Sequence, residues 1–122
     1  MSDSIAIVEA FIDAWNRYDL DTIESMVTPD IFYHNIPMEP CIGLDAFKGF
    51  VRSWQALSAN WVTHAIAATG NIVLTERTDG FDFPDGSKMS IRVMGAFEIK
   101  DGKISKWRDY FDPEEARPIA PA

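Results

Sequence analysis

Apolar residues recur at helical spacing in the first half of the chain. Five of them fall at three- and four-residue steps, the period of one helix face: Ile5, Val8, Phe11, Ile12 and Trp15. Ser4 directly precedes this stripe and is a residue type that caps helix N-termini, so we predict that a first helix begins there. The same spacing predicts a second, shorter helix that begins at Asp19 and a third over about residues 44–58.

The second half of the chain alternates apolar and polar residues, as half-buried strands do. Predicted strands cover residues 31–36, 61–69, 72–83, 88–100 and 103–111. Short turns separate the last four, and one of these turns, Asp101-Gly102, is typical of a two-residue hairpin, so we predict an antiparallel meander. Gly80 and Gly95 lie inside two of the strands and predict bulges or bends there, and therefore a strongly curved sheet.

Helices followed by an antiparallel sheet make an α+β fold. We expect residues 1–122 to form a single domain, because the chain is long enough for one hydrophobic core but not for two. The N-terminal helices should pack on the concave face of the curved sheet. Such an arrangement encloses an apolar pocket between the helices and the sheet.

Composition and charge exclude several classes of function. The formal net charge of −8 argues against nucleic acid or an anionic membrane as the partner, because phosphates would be repelled. No apolar run approaches the roughly 20 residues of a membrane span, and the polar N-terminus is unlike a secretory signal, so we expect a cytoplasmic protein without a membrane partner. Cys41 is the only cysteine, and with only His34 and His64 beside it we expect no metal site.

Three charged residues carry the candidate chemistry. Arg77 and Asp79 share one face of a predicted strand, roughly 6.6 Å apart along it, and Asp109 is available from another strand. An arginine beside two carboxylates lets the pair hold one proton, which suits acid and base chemistry near neutral pH in a partly dry site. Two purely structural roles for these residues stay open at this point, a buried ion network and an exposed cross-strand ion pair.

Tyr33 and Asn35 face the same way on the first predicted strand. Their hydroxyl and amide groups are suited to fixing a water molecule. Such residues more commonly satisfy buried backbone groups, so this pair alone does not indicate a site.

Three segments of the chain resemble the limonene-1,2-epoxide hydrolase family. They are Tyr33-His34-Asn35-Ile36-Pro37, Thr75-Glu76-Arg77-Thr78-Asp79, and Lys103-Ile104 followed by Trp107-Arg108-Asp109-Tyr110-Phe111-Asp112. That family shares a cone-shaped fold with nuclear transport factor 2, ketosteroid isomerase and the polyketide cyclases. The resemblance implies helices packed on a strongly curved, mixed but mostly antiparallel sheet.

The resemblance also implies a reaction, the cofactor-free, one-step hydration of an epoxide to a vicinal diol. Asp109 would act as general base on a water also held by Tyr33 and Asn35. Asp79 would act as general acid on the epoxide oxygen, with Arg77 between the two carboxylates. The physical logic agrees, because water needs a base and the leaving alkoxide needs a proton in the same step.

By the same resemblance, seven residues line an apolar pocket: Ile12, Trp15, Trp54, Phe81, Ile91, Val93 and Phe111. The substrate would be a small apolar cyclic or alkyl epoxide. The N-terminus is shorter than in some relatives, so the resemblance does not say which segment covers the pocket. Two alternatives stay open, an isomerase or cyclase of the same fold and a non-catalytic module that binds a small ligand.

The resemblance further implies a homodimer. The outer face of the predicted sheet supports this modestly through Met94, Ala96, Ile104 and Tyr110. We expect the proline-containing tail, residues 113–122, to lie along the surface or to fray.

Overall fold

Three α-helices and one six-stranded sheet make up most of residues 3–120, the part of the chain that the computed structural model describes. The elements are α1 (Ser4–Asn16), α2 (Leu20–Ser25), β1 (Val27–Asn35), β2 (Cys41–Ile42), α3 (Leu44–Ser53), β3 (Ser58–Thr69), β4 (Ile72–Asp82), β5 (Lys88–Lys100), β6 (Lys103–Tyr110) and a 3-10 helix (Pro113–Ala116). The strand order is β2-β1-β6-β5-β4-β3. β1 and β6 pair in parallel and every other described pair is antiparallel, which confirms the predicted α+β class with a mixed, mostly antiparallel sheet.

Aromatic side chains join the helices to one face of the sheet. Phe11 of α1 meets Trp107 of β6 edge-on with ring centroids 5.1 Å apart, and Trp15 stacks on Trp61 of β3 at 4.5 Å. Phe47 of α3 contacts the ring of Tyr33 on β1 at 5.6 Å. Each such pair adds about 0.5–1.5 kcal/mol to the stabilisation from burial. These contacts place the apolar stripes of α1 and α3 against the sheet, as the helical periodicity predicted.

Element boundaries differ from the predictions in the first half of the chain. Asp3 occupies the N-cap position of α1, and Ser4 is the first helical residue, so the predicted cap was wrong by one residue. α3 ends at Ser53 because the chain turns at Gln55, whose φ is +50°. Strand β1 begins before Pro29, which is tolerated because the pairing with β6 is irregular over this part of the strand.

The bulges predicted at the two strand glycines are absent. Gly80 pairs with Ser90 and Gly95 pairs with Thr75 in uninterrupted register. The register shifts lie elsewhere, in β1, in β3 and near the end of β5. At Gly80 the small residue leaves space for the neighbouring strand, because an added Cβ would lie 3.0 Å from the carbonyl oxygen of Asn60.

The C-terminal segment lies along the sheet. After the short helix, Ile119 exchanges backbone hydrogen bonds with Lys88 of β5, with N···O distances of 2.9 and 2.6 Å. Arg92 of β5 also donates hydrogen bonds to the carboxylate of Glu115. The tail is therefore attached to β5 through Glu115 and Ile119, and the last two residues of the predicted tail, 121–122, lie outside the described residues.

Ile104 was predicted on the outer face of the sheet, but it is fully buried. The ladder between β5 and β6 shifts register next to Ile99, the partner of Ile104, which breaks the simple alternation of faces at this end of β6. Met94 and Tyr110 remain exposed on the outer face. Within residues 3–120, no helix is long and apolar enough to cross a membrane.

Candidate active site

A buried guanidinium links two carboxylates from separate strands. Arg77 of β4 donates two hydrogen bonds to Asp79, from Nε to Oδ1 at 3.0 Å and from Nη2 to Oδ2 at 2.8 Å. Its Nη2 also donates to Oδ2 of Asp109 on β6 at 2.9 Å. Because β5 separates β4 from β6, the guanidinium crosses the middle strand to reach the second carboxylate.

The surroundings of this triad are nearly dry. The side chain of Arg77 has no solvent exposure, and those of Asp79 and Asp109 are each 5% exposed. The guanidinium carbon lies 5.1 Å from the ring centroid of Trp61 and 5.6 Å from that of Phe97. A buried charge of this kind is costly unless it is paired, and here the pairing is bidentate on one carboxylate and single on the other.

Burial and charge act against each other on the pKa values of the triad. Burial is the largest influence on Arg77 and acts to lower its pKa, but the two carboxylates outweigh it and the pKa rises. Burial is also the largest influence on Asp79, where it raises the pKa to about 6; the charge of Asp109 adds to this rise and Arg77 opposes it. Asp79 is therefore a carboxyl group that still holds its proton in part of the population near neutral pH.

Asp109 has a second fixed partner. The indole Nε1 of Trp107 donates to its Oδ1 at 2.7 Å, so each carboxylate oxygen accepts one strong hydrogen bond. Each oxygen retains a further lone pair for another donor. The two bonds hold the carboxylate in one orientation.

The tyrosine and asparagine lie beside Asp109. Asn35 is its register partner on the parallel strand β1, and the Asn35 amide Nδ2 donates to the hydroxyl of Tyr33 at 3.0 Å. The ring of Tyr33 stacks on Trp107 with centroids 4.2 Å apart. Burial, followed by the charge of Asp109, raises the pKa of Tyr33 well above its usual value, so the phenol stays neutral.

These polar groups face a cavity of about 50 Å³. Its walls are Trp15, Tyr33, Asn35, Met38, Trp54, Trp61, Asp79, Phe81, Ile91, Val93, Asp109, Phe111 and Ala116. Six of the seven predicted pocket residues are among them; the exception is Ile12, which is buried in the core and does not line this cavity. Arg77 is not on the wall either, so it lies behind the two carboxylates that are.

Sequence reasoning missed three of the wall residues and one partner of the triad. Trp61 alternates with polar or exposed residues of β3 and shares a face with the buried Ala59, which is the signal for an inward side chain. Met38 and Ala116 come from a turn and the tail and carry no such signal. Thr75 accepts a hydrogen bond from Nη1 of Arg77 at 2.9 Å. Thr75 lies on the same face of β4 as Arg77, and this alternation is the sequence signal by which it could have been found.

Among residues 3–120, no group of three or more His, Cys, Asp or Glu side chains could hold a metal ion.

Comparison with known proteins identifies the family. The model of the limonene-1,2-epoxide hydrolase catalytic domain matches residues 2–116. The chain belongs to the limonene-1,2-epoxide hydrolase family. Epoxide hydrolase EphG of Mycobacterium tuberculosis is 37% identical to it over 106 residues, which cover 86% of this chain and 70% of EphG. The predicted enzyme class, an epoxide hydrolase of the limonene-1,2-epoxide hydrolase type, is confirmed at this level.

Solved structures agree with this family and with the predicted fold. The structure of an M. tuberculosis epoxide hydrolase of the same type superposes with a TM-score of 0.83 and 34% identity, over 93% of this chain and 86% of that one. An NTF2-like protein of unknown function from Cytophaga hutchinsonii superposes with a TM-score of 0.76 at 20% identity, over 91% of both chains. The second likeness concerns the fold alone.

Proposed function

We propose that this member of the limonene-1,2-epoxide hydrolase family adds water to a compact apolar epoxide in one step, with Asp79 as general acid and Asp109 as general base. The observation that carries the proposal is the pair of carboxylates on one cavity wall, bridged from behind by a single guanidinium. Such an arrangement has two carboxylates but one neutralising charge, which favours one proton shared within the pair.

The acid side of the reaction rests on Asp79. An epoxide oxygen that leaves as a free alkoxide is a poor leaving group, so a proton donor has to act as the ring carbon–oxygen bond breaks. The pKa of about 6 keeps part of the Asp79 population protonated near neutral pH, with burial as the main cause. Arg77 holds the carboxyl at both of its oxygens and so limits its rotation.

The base side rests on Asp109 and its neighbours. A water near Asp109 can donate one proton to the carboxylate while Tyr33 and Asn35 fix its position. As its oxygen bonds to the epoxide carbon, the ring carbon–oxygen bond breaks and the epoxide oxygen takes the Asp79 proton. The product is a vicinal diol, Asp109 ends protonated, and Asp79 ends ionised. The charge of the triad is unchanged, and the proton has to return from Asp109 to Asp79 before the next turnover.

The size and lining of the cavity support a compact, uncharged substrate. A volume of about 50 Å³ is about a third of the roughly 150 Å³ of an apolar cavity that is known to accept benzene. Even a small cyclic epoxide therefore needs side chains at the mouth to move, and Met38, which is 50% exposed, is one that can. The two carboxylates on the wall disfavour anionic substrates.

The proposal is tested by single-turnover hydration in water labelled with heavy oxygen. Enzyme in excess over cyclohexene oxide should give a diol in which one oxygen comes from solvent in the first turnover, measured by mass spectrometry. Unlabelled diol in that turnover would mean attack by a carboxylate of the protein and would contradict the one-step reaction. If cyclohexene oxide and smaller epoxides all gave no diol above the rate in buffer, the proposed activity would be wrong, and the isomerase or ligand-binding alternatives would be favoured.

We also propose a homodimer through the outer face of the sheet. Four large apolar side chains on this face are between 45% and 53% exposed: Val62, Leu74, Met94 and Tyr110. A second copy of the chain would cover them. Light scattering should give twice the chain mass of 13.7 kDa for the wild type and a lower mass for Met94→Asp. Ile42→Asp, at an exposed site on β2, is the matched control and should leave the mass unchanged; a monomeric wild type would contradict the proposal.

Two further expectations stay predictions. One is that residues 1–122 act as a single catalytic domain, which limited proteolysis would test by the absence of a stable smaller fragment. The other is a cytoplasmic location, which fractionation of cells that express the protein would test.

A further inference from the structure

One glycine lies under the guanidinium where it crosses the sheet. Gly95 of β5 pairs with Thr75 of β4 on one side and with Asp109 of β6 on the other. A Cβ added at Gly95 would lie 2.3 Å from Nη1 of Arg77 and 2.7 Å from Oδ1 of Asp109, and real Cβ atoms essentially never come within 3.0 Å of another heavy atom. Gly95 is not among the glycines with positive φ, so the space above it, rather than the backbone, requires a glycine.

One threonine completes the binding of the same guanidinium. The hydroxyl of Thr75, a residue only 1% exposed, accepts the Nη1 hydrogen bond at 2.9 Å. Nε and Nη2 bind the carboxylates, so Thr75 holds the remaining nitrogen of the planar group. Fixing all three nitrogens sets the rotation of the guanidinium plane and with it the direction of both Nη2 bonds.

We propose that Gly95 and Thr75 are positioning residues for the acid–base pair. Gly95 provides the space in which Arg77 crosses β5, and Thr75 sets the orientation in which one nitrogen reaches both carboxylates. Neither residue lines the cavity, so each acts through Arg77 rather than on the substrate. The inference rests on the proposed function for its effect on catalysis, but not for its effect on the proton of Asp79.

The first test is Gly95→Ala. The added methyl group has to displace the guanidinium or the Asp109 carboxylate, and a displacement of about 1 Å can cost roughly 100-fold in rate. We expect kcat to fall by about this factor with KM little changed, because the cavity wall is untouched. Gly49→Ala is the matched control, since a Cβ at this position of α3 has nothing within 4 Å and should leave kcat unchanged.

The second test separates the hydroxyl of Thr75 from its shape. Thr75→Val keeps the branched side chain but leaves one guanidinium N–H without its acceptor, so we expect kcat to fall about tenfold. Thr75→Ser keeps the hydroxyl and should restore most of the rate. Equal kcat values for the valine variant and the wild type would overturn the role of Thr75.

The third test does not depend on activity. Arg77 and Asp109 are the charged groups that act on Asp79, and Arg77 lowers its pKa. A displaced guanidinium should therefore raise the Asp79 titration midpoint in Gly95→Ala and Thr75→Val, seen by carboxyl ¹³C NMR without substrate. A purely structural role would reduce the folded fraction and leave the midpoint in place.

The outcomes of these tests are distinguishable. Raised midpoints in a protein whose wild type hydrates no epoxide would keep the positioning inference and reject the proposed function. An active wild type whose Gly95→Ala variant keeps both its kcat and its Asp79 midpoint would overturn the role of Gly95. If Gly95→Ala does not fold, the comparison of Thr75→Val with Thr75→Ser decides, and unchanged midpoints in both would overturn the inference.

Discussion

Two arginine–carboxylate clusters on the same sheet behave in opposite ways. On the outer side Arg92, whose side chain is 83% exposed, binds Glu115, and the hydrogen bonds to that arginine lower the glutamate pKa to about 2. On the inner side Arg77 also binds both oxygens of Asp79, yet the aspartate pKa rises to about 6 because burial outweighs the arginine. An arginine partner alone therefore does not determine the pKa of a carboxyl group. The exclusion of water from the site and the charge of the second carboxylate determine whether the group keeps its proton.

The largest effects should come from removing either buried carboxyl. Asp79→Asn removes the proton donor and Asp109→Asn removes the base, and each should lower kcat/KM by about 10² to 10⁴-fold, the usual contribution of one such group. Glu115→Gln, the same change in the exposed cluster, should leave the rate unchanged. Circular dichroism checks that the variants fold, and a folded aspartate variant with near-normal activity would remove that residue from its assigned role.

A smaller effect should follow from letting water reach the inner cluster, Arg77, Asp79 and Asp109. Trp54, which stacks on Phe81 with centroids 5.2 Å apart, is part of the cavity wall. Trp54→Ala opens the cavity to water, so burial raises the Asp79 pKa less and the loss of kcat/KM with rising pH should begin at lower pH. At a fixed pH above the Asp79 pKa, kcat/KM should be about tenfold lower for each unit by which the variant's Asp79 pKa is lower than that of the wild type.

Substrate size gives a second measurement on the same variant. Relative to cyclohexene oxide, kcat/KM for the bulkier limonene oxide should rise in Trp54→Ala. Trp54→Phe, which retains an aromatic wall, is the control for loss of packing. A pH profile and a substrate preference identical to those of the wild type would contradict the argument that this wall keeps the site dry and small.

The two clusters should also differ in how they link stability to pH. The pKa of Asp79 is raised from 3.8 to about 6 on folding. Its contribution to the free energy of unfolding is therefore fully present below about pH 4 and is lost as the pH rises through 6. The full change is on the order of 3 kcal/mol, since one pKa unit corresponds to about 1.36 kcal/mol. In urea unfolding between about pH 4 and about pH 7, the free energy of unfolding should fall more steeply with rising pH in the wild type than in Asp79→Asn. Parallel curves of unfolding free energy against pH for the two proteins would contradict the raised Asp79 pKa.

For Glu115 the sign is reversed. Its pKa is lowered from 4.5 to about 2, so its contribution is present above about pH 4.5 and is lost as the pH falls through 2. The contribution itself should be small, because solvent screens a pair whose arginine is exposed, so Arg92→Ala at neutral pH should have the smallest effect of all. We expect a urea midpoint close to that of the wild type, and a large loss would show that the outer cluster is structural after all.

The inner cluster was only partly predictable from the sequence. Strand alternation fixes which side chains share a face, and this is enough to bring Arg77 and Asp79 together and to offer Asp109 from another strand. It does not fix which residues lie opposite each other on neighbouring strands, because turns and register shifts set the pairing. The crossing of Arg77 over Gly95 depends on that pairing across three strands, and so does its bond to Thr75.

The same limit explains the errors at the cavity. Ile12 shares the apolar stripe of α1 with Trp15, but periodicity alone cannot tell the part of the stripe that meets the cavity from the part that meets the core. Met38 and Ala116 come from segments without periodicity, so nothing in the sequence pattern aimed them at the site. The helices and the long strands, which are strongly periodic, were the well-predicted parts.

Burial raises the pKa of Asp79 to about 6 despite its contact with Arg77, so part of the population keeps its proton near neutral pH. Carboxyl ¹³C NMR of the labelled wild-type protein measures this directly, with no substrate and no variant. We expect the Asp79 resonance to titrate with a midpoint near pH 6. A midpoint at or below about pH 4, the usual range of an aspartate, would contradict it.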